Sequence, residues 1–289
     1  MGWVSSSPIR VEYVNTPENR PKPGRWVDWL ARFGYAAKGV VYILVGALAA
    51  RAAMGPGGET KGTRGALGTI LEQPFGRVAL AVVAVGLAGY VLWRLVQGFL
   101  DPEGRGSDFK DLGLRAFFVL NGLIYLSLAF AAGRLALGSG GGGATREPYR
   151  DWTARLMSQP HGRWLVAAVG LIVLGVALYQ FVRAYKAKFR KRLKLREMSS
   201  AAEQWATRTG RFGFAARGVT FGLIASFLIN AARQADPNEA KGLEGALTTI
   251  ERQPMGPWLL AIVAIGLMAY GVFQLVYARY RRTGLEEQA

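Results

Sequence analysis

The sequence predicts an all-α integral membrane protein, with six transmembrane helices arranged as three parallel-oriented two-helix repeats and short interfacial helices inside each repeat. Three observations predict it. Apolar residues fall in six blocks of about 20 residues, enough at about 1.5 Å per residue to cross a hydrocarbon core about 30 Å thick. Nearly all charge lies between the blocks. The stretch Phe33-Gly34-Tyr35-Ala36-Ala37-Lys38-Gly39-Val40 returns as Phe212-Gly213-Phe214-Ala215-Ala216-Arg217-Gly218-Val219, with a degraded copy at Phe117-Phe118-Val119-Leu120-Asn121-Gly122.

Residues 1–30 are rich in Pro and charge and lack the apolar core of a signal peptide. They predict a flexible cytoplasmic arm that ends in a short interfacial turn at Trp26 and Trp29. The first repeat, 31–104, holds apolar blocks at 33–53 and 76–100. The second, 112–196, holds 113–135 and 163–184, and the third, 209–283, holds 212–232 and 257–277. Backbone groups in hydrocarbon need internal partners, so each block is expected to be a helix. None shows the alternation of a transmembrane strand.

Between the two blocks of the outer repeats, Gly65-Ala66-Leu67-Gly68-Thr69-Ile70 matches Gly245-Ala246-Leu247-Thr248-Thr249-Ile250. Ala66, Leu67, Ile70 and Leu71 share one side of a short helix, the pattern of a segment lying on the membrane surface. The middle copy keeps only Leu156 and Met157 of that face, beside Trp152. Each second block is announced by Gln-Pro-x-Gly, at Gln73-Pro74-Phe75-Gly76, Gln159-Pro160-His161-Gly162 and Gln253-Pro254-Met255-Gly256. Proline without an N–H suits a helix start.

Of the 36 Lys and Arg, twelve fall on the side of the loops within repeats, and the rest accompany the termini and the loops between repeats. By the positive-inside rule this two-to-one bias predicts both termini in the cytoplasm. The formal charge of +17 follows from these basic loops and does not call for nucleic acid as a partner. With no Cys, disulfides and thiolate metal sites are excluded. His161 is the sole histidine and sits in a turn, and no carboxylate lies inside any block, which disfavours proton-coupled transport. No nucleophile–base pair has a recognisable spacing. The chain is therefore expected not to be an enzyme and to need no cofactor.

The repeated Phe-Gly-x-Ala-Ala-basic-Gly-Val stretch, the Gly-Ala-Leu-x-Thr-Ile segment and the Gln-Pro-x-Gly turn resemble the bacterial membrane family catalogued as domain of unknown function 1206. The resemblance covers nearly the whole chain beyond residue 30 and implies three tandem two-helix units in a bacterial inner membrane. Copy two departs from it, with Ala116-Phe117 in place of Phe-Gly and Asn121 in place of the basic residue. No activity is implied.

Lys38, Asn121 and Arg217 are equivalent positions inside the first helix of each repeat. A charge within a membrane helix points to function, yet a long side chain can also snorkel to the interface. Either the three ring a cytoplasmic vestibule that meets lipid phosphate or an anionic solute, or they reach out to the headgroups. Arg94, Gln180 and Gln274 are equivalent positions near the end of each second helix, suited to hydrogen bonds between helices or to a pore lining. The polybasic run from Arg183 to Arg196 carries Arg183, Lys186, Lys188, Arg190, Lys191, Arg192, Lys194 and Arg196. With Tyr185, Phe189, Leu193 and Leu195 interleaved, it reads as a continuation of the fourth helix that attracts anionic phospholipid.

The expected partners are the bilayer, anionic phospholipid and a membrane protein. A non-enzymatic scaffold or accessory subunit is the first reading of function. A channel or uniporter for an anionic or neutral solute along the pseudo-threefold axis is the alternative. A lipid-modifying enzyme using Glu72 or Glu251 is the third. What separates the first two is whether the repeated polar positions converge on one axis.

Overall fold

A computed structural model describes residues 25–55, 60–100, 108–139, 149–187, 189–190, 193–194 and 197–280. The nine α-helices among these described residues are α1 (Arg25–Met54), α2 (Thr63–Leu71), α3 (Gly76–Phe99), α4 (Phe109–Ala136), α5 (Tyr149–Met157), α6 (Gly162–Lys186), α7 (Ser200–Gln234), α8 (Leu243–Glu251) and α9 (Gly256–Tyr280). Six of them, α1, α3, α4, α6, α7 and α9, are long and apolar enough to cross a membrane. Most of the expected N-terminal arm lies outside the described residues. Its end does not form a separate turn, because α1 already begins at Arg25 and carries Trp29 exposed on its first turns.

Small residues decide which helices touch. A Cβ on Gly34 of α1 would stand 2.5 Å from the Tyr90 backbone nitrogen of α3, so the two helices cross backbone to backbone. Gly213 of α7 meets Tyr270 of α9 in the same way, and Gly86 and Gly266 receive Ala37 and Ala216 at equivalent crossings. These are the contacts within repeats one and three. Between repeats, Gly39 of α1 packs on Gly271 and Leu275 of α9, Gly122 of α4 on Arg94 and Leu95 of α3, and Gly218 of α7 on Phe181 of α6. The three glycines are equivalent, and so are Leu275, Leu95 and Phe181. All three contacts between repeats are therefore the same contact.

The transmembrane helices consequently follow the cyclic order α1, α3, α4, α6, α7, α9 and back to α1, a pseudo-threefold ring. The ring is open at one place. α4 and α6, the two helices of repeat two, share none of the extensive packing that joins every other adjacent pair among the described residues. Repeat two is split, with α4 on α3 and α6 on α7. The sequence explains why. Where repeats one and three have Gly34/Gly213, Ala37/Ala216 and Gly86/Gly266, repeat two has Phe117, Leu120 and Ile172, too bulky for a close crossing. The consequence is visible along the face: Val41 is 1% exposed and Thr220 2%, but their equivalent Ile124 is 58% exposed, as is Ile172.

Two local expectations are corrected. The Gln-Pro-x-Gly proline does not start the helix. It occupies the second position of a tight turn closed by Gly76 N–H donating to Gln73 O at 2.9 Å, with Phe75 left-handed at φ 60°. His161 and Met255 repeat that conformation, and the following glycine abuts the end of the short helix. Nor do the short helices present their apolar side to lipid. Ala66 and Leu67 of α2, and Ala246, Leu247 and Ile250 of α8, are buried against the bundle. Only Thr153 is buried on α5, as befits the copy whose two long helices have parted.

Candidate functional site: a buried cluster of cations and tyrosines

The first-helix positions face the ring interior. Lys38 is 3% exposed, and its Nζ donates to the Tyr90 hydroxyl at 3.1 Å. Arg94 Nε, one turn along α3 from Tyr90, donates to the same hydroxyl at 2.8 Å, and the hydroxyl donates to Asn121 Oδ1 of α4 at 3.0 Å. Tyr90 thus ties α1, α3 and α4 together. Arg94 also donates to Gln97 Oε1 at 2.9 Å. In repeat three, Arg217, 8% exposed, donates to the Tyr270 hydroxyl at 2.6 Å, which is the Lys38–Tyr90 pair again. Repeat two lacks the pair, because Val176 stands where the tyrosine would be.

Aromatic faces supply the rest of the environment. Lys38 Nζ lies 4.7, 4.5 and 5.8 Å from the ring centres of Tyr90, Tyr125 and Tyr270. The Arg217 guanidinium lies 5.3 Å from Tyr42, 4.9 Å from Phe221 and 4.4 Å from Tyr270. Tyr42, Tyr125 and Phe221 are equivalent positions one turn beyond Lys38, Asn121 and Arg217. Edge-to-face pairs join Tyr35 to Tyr90, Tyr42 to Tyr270 and Tyr90 to Tyr125. A desolvated cation over an aromatic face gains about 2 kcal/mol, against several kcal/mol for removing each ion from water. Tyrosine faces and hydroxyls offset part of that cost, and no carboxylate among the described residues offsets the remainder: the hydrogen bonds of Lys38, Arg94 and Arg217 run to Tyr90, Tyr270 and Gln97. Arg217 Nε, buried, has no acceptor among the described residues.

Snorkelling therefore does not describe Lys38 or Arg217, whose heads turn inward to tyrosines rather than along the helix. Gln180 and Gln274 are buried at the register of Arg94, but they do not join the Tyr90 hub. Arg94 bonds along its own helix, not across to α6 or α9. The tyrosines escaped sequence reading because a tyrosine in an apolar run looks like core. Tyr90 and Tyr270, four residues before the polar positions Arg94 and Gln274 and so on the same helix face, were the available signal.

The polybasic run is corrected in shape. α6 stops at Lys186, Ala187 is left-handed, and the chain turns back so that Phe189 and Leu193 are buried, Phe189 against Phe214 and Phe273. Burying the Phe189 ring and the Leu193 side chain outweighs continuing an exposed helix. Lys186 is exposed, Arg190 pairs with Glu203, and Lys194 pairs with Glu197 at 3.2 Å. Arg183 is half-buried over Phe214, 4.1 Å from its ring centre. Lys188, Lys191, Arg192 and Arg196 lie outside the described residues.

Comparison with known proteins agrees with the repeat. The family described as Domain of Unknown Function (DUF1206) matches three times, over residues 33–101, 116–187 and 212–281. The chain is 33% identical over 279 residues to an uncharacterized protein of Bacillus subtilis (strain 168), covering 96% of this chain and 99% of that one. No solved structure matches it.

Proposed function

The chain belongs to the DUF1206 family, and from that premise we propose that it is a non-enzymatic membrane scaffold or accessory subunit of the plasma membrane. The observation that carries this reading is a filled axis. Lys38, Asn121 and Arg94 meet at the Tyr90 hydroxyl, with Arg217 across the Tyr270 ring from Lys38, but Tyr42 and Tyr125 close the space beside Lys38, and Lys38, Tyr42 and Tyr125 are all buried. A conducting path would keep those positions wet. Both termini are assigned to the cytoplasm, in support of which Lys186, Arg190 and Lys194 lie at and just beyond the C-terminal end of α6. That end would sit against anionic phospholipid headgroups, and Trp164 and Trp258, exposed in the first turns of α6 and α9, would mark the opposite interface.

Convergence of Lys38 and Arg217 favours the alternative channel reading, and one experiment separates the two. Full-length protein in liposomes is assayed for chloride, inorganic phosphate and glycerol flux, and protein extracted gently from its own membrane is examined by native mass spectrometry. No flux above protein-free liposomes, together with a stoichiometric protein partner, is expected. Flux that changes when Lys38→Glu and Arg217→Glu are introduced would overturn the scaffold reading in favour of a channel.

A further inference from the structure

The cation cluster and the break in the ring belong together. Lys38, Arg94 and Arg217 share one region: Lys38 and Arg94 donate to the same Tyr90 hydroxyl, and the Tyr270 ring centre lies 5.8 Å from Lys38 and 4.4 Å from Arg217. Their recorded partners are hydroxyls, an amide and aromatic faces, none of which carries negative charge. Buried Arg217 Nε points a donor at no acceptor in the described chain. Such a cluster attracts an anion that the described residues do not provide.

The split of repeat two indicates where that anion comes from. The gap between α4 and α6 faces sideways, into the bilayer, and not along the axis. Its walls are the faces that repeats one and three bury, here offering Phe117, Leu120, Ile124 and Ile172 to lipid. Asn121 on α4 and Arg183 on α6, both half-buried, are carried by the helices that border it. Apolar walls exposed beside a cluster of cations suit a molecule with acyl chains and an anionic head. A soluble anion would have no use for the apolar walls. We infer that the opening between α4 and α6 is a binding site for one anionic phospholipid, whose acyl chain lies on Leu120, Ile124 and Ile172 and whose phosphate accepts from the Arg217 guanidinium, the one cation of the cluster with a buried N–H unmatched among the described residues. This site stands whether or not the bundle is an accessory subunit.

The test uses the full chain in detergent, titrated separately with phosphatidylglycerol, phosphatidylcholine and inorganic phosphate, with native mass spectrometry reading occupancy and thermal unfolding reading stability. One phosphatidylglycerol is expected to bind in preference to phosphatidylcholine and to raise Tm. Arg217→Gln is expected to lower its occupancy about tenfold, the loss of one charge-assisted contact. Ile124→Trp changes an exposed side chain, so it folds whatever becomes of Arg217→Gln, and it is expected to block the cleft and remove the preference without lowering the lipid-free Tm. Equal binding of the two lipids overturns the inference. So does an equal rise in Tm with inorganic phosphate, which would make the site one for a soluble anion. Loss of the preference in Lys186→Gln with Arg190→Gln, while Ile124→Trp keeps it, would move the lipid to the basic end and overturn it as well.

Discussion

The Tyr90 hydroxyl has no spare capacity. It accepts from Lys38 and from Arg94 and donates to Asn121, the one donor and two acceptors a phenol can offer. Tyr270 serves Arg217. Tyr90→Phe should therefore destabilise more than Tyr270→Phe, by about 1–3 kcal/mol for stranding buried polar groups, read as Tm in detergent. Equal losses would mean that Tyr90 is no hub. Lys38→Met should behave in the opposite sense and leave Tm unchanged or raise it, because an aliphatic chain of similar length removes a buried charge lacking an ionic counterpart. A large fall in Tm would show that the charge holds the fold together. Lys38, Asn121 and Arg217 could be picked out from the chain alone because a repeat advertises equivalent positions. Their partners could not, since nothing in one dimension distinguishes a tyrosine that solvates a cation from one that fills space.

Among elements, the asymmetry between copies is the most testable feature. Gly34→Phe gives repeat one the residue that repeat two already has, against the Tyr90 backbone. It should cost at least the 1–3 kcal/mol typical of overpacking, whereas the reverse change, Phe117→Gly, on an open face, should cost about 1 kcal/mol or less. Similar costs in the two would mean that α4 and α6 are packed together after all. The turns give a second expectation. His161 is left-handed at φ 60°, a conformation that costs a side chain about 1–2 kcal/mol, so His161→Gly should hold or raise Tm. Six long helices were legible because hydrocarbon allows little else. The end of α6 was not, because basic residues every few positions suit an exposed helix, and only the bundle shows that Phe189 and Leu193 have somewhere to be buried.

At the scale of the molecule, the three equivalent contacts between repeats were implicit in the repeated glycines, while the cyclic order of the helices and its interruption were not. Both depended on comparing Phe117, Leu120 and Ile172 with residues far away in the chain. The assigned orientation predicts that a fluorescent protein fused after Ala289 will glow and that alkaline phosphatase at the same place will stay inactive; the opposite pattern would reverse the topology.

The α1–α9 contact, where Gly39 and Gly271 bring two backbones together, lies diametrically across the ring from the gap. A bundle joined this way is mechanically a clasp, with a spine and two three-helix jaws, α1 with α3 and α4, and α9 with α7 and α6. Glycine at the spine leaves the smallest lever arm where the jaws pivot and the longest where they end. With helix axes about 8–10 Å apart, a tilt of about 10° at the spine would change the width of the mouth by about 3–4 Å. Substituents at Gly39 or Gly271 would therefore be felt farthest from where they are placed, as a mouth propped wider or pinched shut.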